Sequence, residues 1–153
     1  MSRTESTNII VAKALQSIRE DNPVFYNVNR TQFTATVQAK NFFELKLAAL
    51  SKEVFEVAFL DNQHKLIKSE TMFTGSISSA SVYPREIAKR SLELNAASVI
   101  LAHNHPSGLS VPSNQDKSIT SHISSMLKLL EVSVLDHIIV GNETYSFGEN
   151  GLL

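Results

Sequence analysis

The chain lacks cysteine altogether, and it lacks an excess of either charge. The missing cysteines exclude disulfide bonds, thiolate zinc ligands and a cysteine nucleophile. The 14 Lys and Arg residues nearly balance the 15 Asp and Glu residues, giving a net charge of -1. Binding to a phosphate backbone usually needs a basic excess, so a nucleic-acid partner is not expected from the charge.

Long hydrophobic runs are missing as well. No apolar stretch approaches the roughly 20 residues that a membrane-spanning helix needs. The N-terminus carries no apolar segment behind basic residues, so no signal peptide is expected. Together these absences predict a soluble, cytoplasmic protein that does not bind a membrane.

The hydrophobic pattern predicts an α/β fold of the mixed α+β type. With 153 residues, 42% of them hydrophobic, the chain can bury one sizeable core but hardly two. Periodicity predicts helices over residues 8–19, 42–50, 84–94 and 114–130, and strands over residues 53–60, 66–73, 97–103, 132–134, 136–140 and 144–147. We expect a central mixed sheet flanked by helices in one domain of residues 35–153, after an N-terminal helical extension over residues 1–34.

The most informative stretch follows the apolar run at residues 97–102. It holds His103, His105, Ser113 and Asp116 within fourteen positions. Side chains two apart on a strand point the same way, so the two imidazoles can converge on one metal ion. Asp116 can supply a third ligand and water a fourth, which is the arrangement of a catalytic rather than a structural zinc site.

Two of these residues have a second interpretation. Ser113 can be the N-cap of the predicted helix, with Asp116 at its third position, which is a capping arrangement. This interpretation does not exclude metal binding, because an acid in the first helical turn can project past the helix end.

The spacing itself resembles that of a known family. The run His-x-His-Pro resembles the JAMM (MPN+) metalloprotease motif, with seven residues between His105 and Ser113 and two between Ser113 and Asp116. The run His-Asn-His-Pro-Ser-Gly is similar to its bacterial branch, the RadC-like proteins. The similarity covers roughly residues 35–153, and further segments that agree with the branch are residues 50–55, 70–75, 84–86, 94–97 and 136–141.

The resemblance implies a JAMM/MPN-like domain that is a zinc metallopeptidase or isopeptidase with one Zn²⁺ per chain and an unidentified peptide or protein substrate. It assigns His103, His105 and Asp116 as metal ligands and Ser113 as the oxyanion donor. It also assigns Glu53 as the general base, although the pattern alone favours a Glu53 exposed at the mouth of its strand. Glu70 is the rival base.

The resemblance leaves other interpretations open. RadC-like proteins carry a traditional DNA-repair label, and this chain resembles a short form without the N-terminal helix-hairpin-helix region. A nucleic-acid-processing factor and a non-catalytic metal-bound scaffold therefore remain alternatives. Of the other histidines, His64 is expected in a solvated turn and His122 on a helix surface. His137 is expected in a structural role, or in an outer contact of the site made together with Asp136.

Overall fold

The computed structural model describes residues 30–77 and 82–153. Within them, the chain forms three helices and five strands in the order helix, strand, strand, helix, strand, helix, strand, strand. The helices are α1 (Thr36–Leu47), α2 (Pro84–Glu93) and α3 (Asn114–Leu129). The strands are β1 (Val54–Leu60), β2 (Leu66–Thr74), β3 (Ser98–Asn104), β4 (Ser133–Val140) and β5 (Thr144–Ser146).

The five strands form one sheet in the order β2-β1-β3-β4-β5. Strands β3 and β4 are parallel, while the other neighbouring pairs are antiparallel, so the expected mixed sheet is confirmed. Helix α3 connects the two parallel strands. It therefore begins beside the C-terminal end of β3, where the metal-ligand motif lies.

Helices cover both faces of the sheet. Strand β3 shows this by its alternation: Ile100 and Ala102 pack on the side of α1, while Val99 and Leu101 pack on the side of α2 and α3. Every residue of β1 and β3 is buried as a result. The same alternation places His103 on the α2/α3 side, in line with Val99 and Leu101.

Helix α1 begins and ends earlier than the predicted helix over residues 42–50. Its buried stripe is Ala39, Phe43 and Leu47, an i, i+4, i+8 series on one face. Leu45 belongs to the apolar cluster that suggested the later position, but it is 89% exposed, and Leu50 lies beyond the helix. The apolar residues between positions 42 and 50 thus include both buried and exposed side chains, and for this reason their density misplaced the helix.

Two further predictions concern the strand segments near residue 135 and the N-terminal helix. The separate segments predicted over residues 132–134 and 136–140 are one strand, β4, which carries an irregularity where Val134 pairs with Val99 and Asp136 pairs with Ile100. The helix predicted over residues 8–19 lies outside the described residues. None of the helices formed by residues 30–77 and 82–153 combines the length and hydropathy that crossing a membrane requires.

Candidate metal centre

The candidate metal centre lies at the C-terminal end of β3. His103 is the penultimate residue of the strand, and His105 follows it with its backbone N–H donating to the Val140 carbonyl at 2.9 Å. This bond continues the parallel pairing with β4 past the assigned strand end. Both imidazoles therefore point to one side, and their Nε2 atoms lie 2.9 Å apart.

Asp116 reaches the same point from the first turn of α3. The Ser113 hydroxyl accepts the Asp116 N–H at 3.0 Å, and the Asp116 carboxylate accepts the Ser113 N–H at 2.8 Å, which is a reciprocal capping box. The same carboxylate lies 3.3 Å from His103 Nε2 and 3.4 Å from His105 Nε2. One side chain thus caps the helix and faces both imidazoles, as the two compatible interpretations of the sequence require.

The orientation of His105 is set by a backbone group. Its Nδ1 lies 2.5 Å from the Leu109 carbonyl, which can only accept a hydrogen bond, so Nδ1 carries a proton. In a neutral His105 the lone pair is then on Nε2, the nitrogen that faces His103 and Asp116. The loop that supplies Leu109 is fixed in turn, because the Gly108 carbonyl accepts the Asn142 N–H at 2.7 Å.

The electrostatics of the site favour a bound cation. Burial alone would raise the pKa of the Asp116 carboxyl, but the imidazoles of His103 and His105 outweigh it and hold that pKa well below its ordinary value of 3.8. The contact with Asp116 raises the pKa of His105 above its ordinary value of 6.5, against the opposing effect of burial. The buried Asp116 carboxylate therefore stabilises positive charge on or between the two imidazoles that it faces.

Glu53 belongs to this cluster and Glu70 does not. Among the described residues, Glu53, His103 and His105 each place a donor atom within 4.8 Å of the others. The Glu70 carboxylate instead accepts two hydrogen bonds from Arg90, at 2.6 and 2.9 Å, and lies 3.1 Å from the Lys68 ammonium group. That engagement makes Glu70 a poor candidate for the general base.

The segment that carries Glu53 is tied to β3 by Asn104, the residue between the two histidines. Asn104 Oδ1 accepts the Val54 N–H at 2.8 Å, and its Nδ2 donates to the Lys52 carbonyl at 2.9 Å. Among the described residues, the Ile77 N–H donates a long hydrogen bond, 3.4 Å, to the Glu53 carboxylate. The side chain of Glu53 is half-buried.

Ser113 is exposed beside the candidate ligands. Its hydroxyl oxygen accepts the Asp116 N–H, which leaves the hydroxyl hydrogen available for donation to another group. The geometry is compatible with the predicted oxyanion donor and equally with a plain helix cap.

The sequence predictions on the remaining histidines meet different outcomes. His64 is exposed in the turn between β1 and β2, and His122 is exposed on α3, as expected. The contact suggested between Asp136 and the His137 imidazole is not made. Adjacent residues of a strand face opposite sides, so the Asp136 carboxylate accepts the Ser146 hydroxyl at 2.6 Å and the Gly148 N–H at 2.9 Å instead.

The imidazole of His137 contacts the site directly. Its Nε2 lies 2.7 Å from His103 Nδ1, and its Nδ1 lies 2.5 Å from the Thr120 hydroxyl. Complete burial, together with the nearby His103, lowers the pKa of His137 well below 6.5. Sequence reasoning missed Thr120. The available signal was its position one helical turn after Asp116, on the same face of α3.

The donor set fits zinc. The site offers two imidazole nitrogens and one carboxylate oxygen, which comes from Asp116 or from Glu53. Catalytic zinc sites use nitrogen and oxygen ligands of this kind. These residues would hold the metal at the strand end, on the buried side that His103 shares with α3.

Comparison with known proteins agrees with the motif. The family described as RadC-like JAB domain matches residues 33–152. UPF0758 protein YfjY of Escherichia coli (strain K12) is 52% identical over 122 residues, which cover 79% of this chain and 76% of that protein. UPF0758 protein YkfG of the same organism is 51% identical over 122 residues, covering 79% and 77%. UPF0758 protein PSHAa2643 of Pseudoalteromonas translucida (strain TAC 125) is 50% identical over 133 residues, covering 84% of this chain and 59% of that protein.

Proposed function

The chain belongs to the RadC-like JAB domain family, which is JAMM/MPN-like, and from this premise we propose that it is a zinc-dependent metallopeptidase or isopeptidase. One observation carries the proposal. The Nε2 atoms of His103 and His105 lie 2.9 Å apart and within 3.4 Å of the Asp116 carboxylate. Three groups that offer electron pairs to one point need a cation between them, and a proton satisfies only two of them at once.

The metal has a limited task in the proposed reaction. When bound, Zn²⁺ polarises a substrate carbonyl and brings the pKa of a bound water to about 7. His103, His105 and Asp116 would hold it, and a set of three protein ligands would leave a position for water.

Glu53 moves the proton. Its carboxylate lies within 4.8 Å of the imidazole donor atoms, on a segment that Asn104 fixes to β3. In the proposed hydrolysis it takes a proton from the attacking water and passes it to the amine that leaves when the amide C–N bond breaks. Ser113 donates its free hydroxyl hydrogen to the oxygen that becomes negative on the attacked carbonyl.

The role of Glu53 as base rather than ligand has a direct test. Glu53→Gln keeps the shape of the side chain and removes its basicity. If Glu53 is the base, zinc measured by inductively coupled plasma mass spectrometry stays at about one per chain while turnover falls about 10²- to 10⁴-fold. Loss of zinc from Glu53→Gln would assign Glu53 to the ligands instead.

The substrate can be identified by an unbiased search for cleaved proteins. Zinc-loaded protein is incubated with a cell lysate, and new protein N-termini and free lysine amines are identified by mass spectrometry. We expect cleavages that Glu53→Gln and His103→Ala do not produce. Glu70→Gln is the matched control that retains them, because Glu70 pairs with Arg90 away from the imidazoles. The same cleavages with Glu53→Gln, or no zinc in the parent protein, would overturn the proposal.

The two alternatives have distinct outcomes. A non-catalytic metal-bound scaffold binds zinc and gives no cleavage dependent on Glu53. A nucleic-acid-processing factor binds duplex DNA at moderate salt, whereas a chain with a net charge of -1 is expected to bind it weakly. A fluorescence anisotropy titration with a labelled duplex, run beside the metal measurement, separates these cases.

A further inference from the structure

A continuous row of hydrogen-bonding groups runs behind the metal centre. It begins at the Asp116 backbone carbonyl, passes the Thr120 hydroxyl at 2.6 Å and the His137 ring at a further 2.5 Å, and ends 2.7 Å further on at His103 Nδ1. All four residues are at most 2% exposed. The row thus joins two of the proposed ligands, Asp116 and His103, through buried groups that contact no metal themselves.

The directions of the first two hydrogen bonds in this row follow from its first member. A carbonyl only accepts, so the single hydroxyl hydrogen of Thr120 goes to the Asp116 carbonyl. The Thr120 oxygen can then only accept from the ring of His137, which must carry its proton on Nδ1. Thr120 therefore fixes the tautomer of His137.

The same reasoning continues one step further. A neutral His137 protonated on Nδ1 has its lone pair on Nε2, the nitrogen that faces His103. His103 must then donate from Nδ1, so its own lone pair lies on Nε2 and faces the metal centre. A charged His137 would reverse this last bond, but in the described part of the chain its side chain hydrogen-bonds only Thr120 and His103, and no carboxylate contacts it. A buried charge without such a partner is strongly disfavoured.

We infer that Thr120 and His137 are positioning residues that hold His103 in the tautomer with an unprotonated Nε2, ready to coordinate the metal. The inference rests on the proposed function only in that it takes His103 as a metal ligand. Metal-binding histidines generally donate their second nitrogen to an oriented acceptor. Here the acceptor is a neutral imidazole, and its orientation derives from the backbone of the helix that also supplies Asp116.

The first test reads the tautomers without metal or substrate. In metal-free protein at slightly alkaline pH, two-bond ¹H–¹⁵N correlation spectra distinguish the protonated and unprotonated nitrogens of each imidazole. We expect Nδ1–H for both His103 and His137. A His103 protonated on Nε2, or a His137 protonated on Nε2, would overturn the inference.

The second test removes the first member of the row. Thr120→Val replaces the hydroxyl with a methyl group of the same shape and leaves His137 Nδ1–H without an acceptor. We expect a mixture of tautomers at His137 and His103, and zinc affinity, measured by competition with a chromogenic chelator, lower by about 10- to 100-fold. Thr120→Ser keeps the hydroxyl and is the matched control, expected to give parental spectra and affinity.

A second position keeps the test decisive if Thr120→Val does not fold. His137→Gln can present its amide oxygen to His103 Nδ1–H and should retain much of the zinc affinity, whereas His137→Leu offers no acceptor and should lose it. Equal affinities for these two variants, or parental tautomers and affinity in a folded Thr120→Val, would overturn the inference. Absence of peptidase activity in a protein that binds zinc would refute the proposed function and leave the tautomer result standing.

Discussion

Replacing Asn104 with alanine tests how firmly the segment with Glu53 is attached to the sheet. Asn104 is 2% exposed and makes two well-formed hydrogen bonds to that segment, to the Val54 N–H at 2.8 Å and to the Lys52 carbonyl at 2.9 Å. A third contact, to the Leu50 carbonyl at 3.5 Å, is too long to add much. Asn104→Ala removes all of them and supplies no substitute.

The two lost partners are not equally costly. Val54 is buried, so its N–H is left without water or protein partner, at about 1–3 kcal/mol. Lys52 is exposed, so its carbonyl can accept a hydrogen bond from water instead. Losing the bond from Asn104 therefore lowers stability only by the net value of one hydrogen bond, about 0.5–1.5 kcal/mol. We therefore expect the free energy of unfolding to fall by about 3 kcal/mol.

Urea denaturation checks this value. With a slope of about 1.5–3 kcal/mol per M, the midpoint should move down by about 1–2 M while the slope stays the same. Ser98→Ala is the matched control from the same strand and the same side of the sheet. The Ser98 hydroxyl is buried and has no hydrogen-bond partner within the described residues, so its removal should leave the midpoint unchanged or raise it. A midpoint for Asn104→Ala within error of that control would refute the reasoning.

Three further predictions concern the loop, an ion pair and the metal. A Cβ at position 141 would lie 2.6 Å from the Gly108 carbonyl oxygen, so Gly141→Ala should displace the loop and lower both the Tm and the zinc affinity; parental values would contradict that contact. The hydrogen bond from Arg90 lowers the pKa of Glu70 below 4.5, so this pair stabilises the fold above pH 4.5 and loses that contribution as the pH falls through the lowered pKa. Urea titrations should find Glu70→Gln less stable than the parent at neutral pH, with a difference that shrinks in acid rather than persisting. Removing zinc with a chelator should lower the Tm, and adding zinc back to about 100 times its Kd should restore about 2.7 kcal/mol; a Tm that does not respond to zinc would exclude a specific site.

Much of the candidate site could be predicted because its geometry is local. The i, i+2 spacing of His103 and His105 and the capping arrangement of Ser113 with Asp116 depend only on a strand end and a helix start. The structure brings Glu53 close to His103 and His105, and it places the Asp116 carboxylate against the same two imidazoles. Their assignment as ligands, base and oxyanion donor stays a prediction.

The contacts of His137 could not be predicted in the same way. They depend on the register between β3 and β4, in which His137 lies opposite Leu101 and shares the side of the sheet that His103 occupies. The irregularity at Leu135 shifts that register. It also broke the apparent strand into two predicted segments, because a single added residue inverts the alternation of side chains after it.

Glu56 shows a second limit of the pattern. An acid opposite the apolar series of a strand is typical of a solvated face, yet the Glu56 side chain is completely buried. Lys46 of α1 lies 2.8 Å from its carboxylate, and the hydroxyls of Ser69 and Thr71 donate to it at 2.7 and 2.6 Å. Which helix covers a sheet face is a property of the tertiary fold, and alternation within one strand does not contain it.

The backbone and the side chain of Leu109 have different surroundings. Its carbonyl orients His105, while its side chain is 71% exposed, as is that of Val111. A carbonyl is common to all twenty amino acids. The residue at position 109 can therefore change in evolution, and with it the side chain exposed on this loop, while the contact that orients His105 is inherited unaltered. If the chain is the proposed peptidase, its substrate preference and its catalytic residues can change independently at this loop.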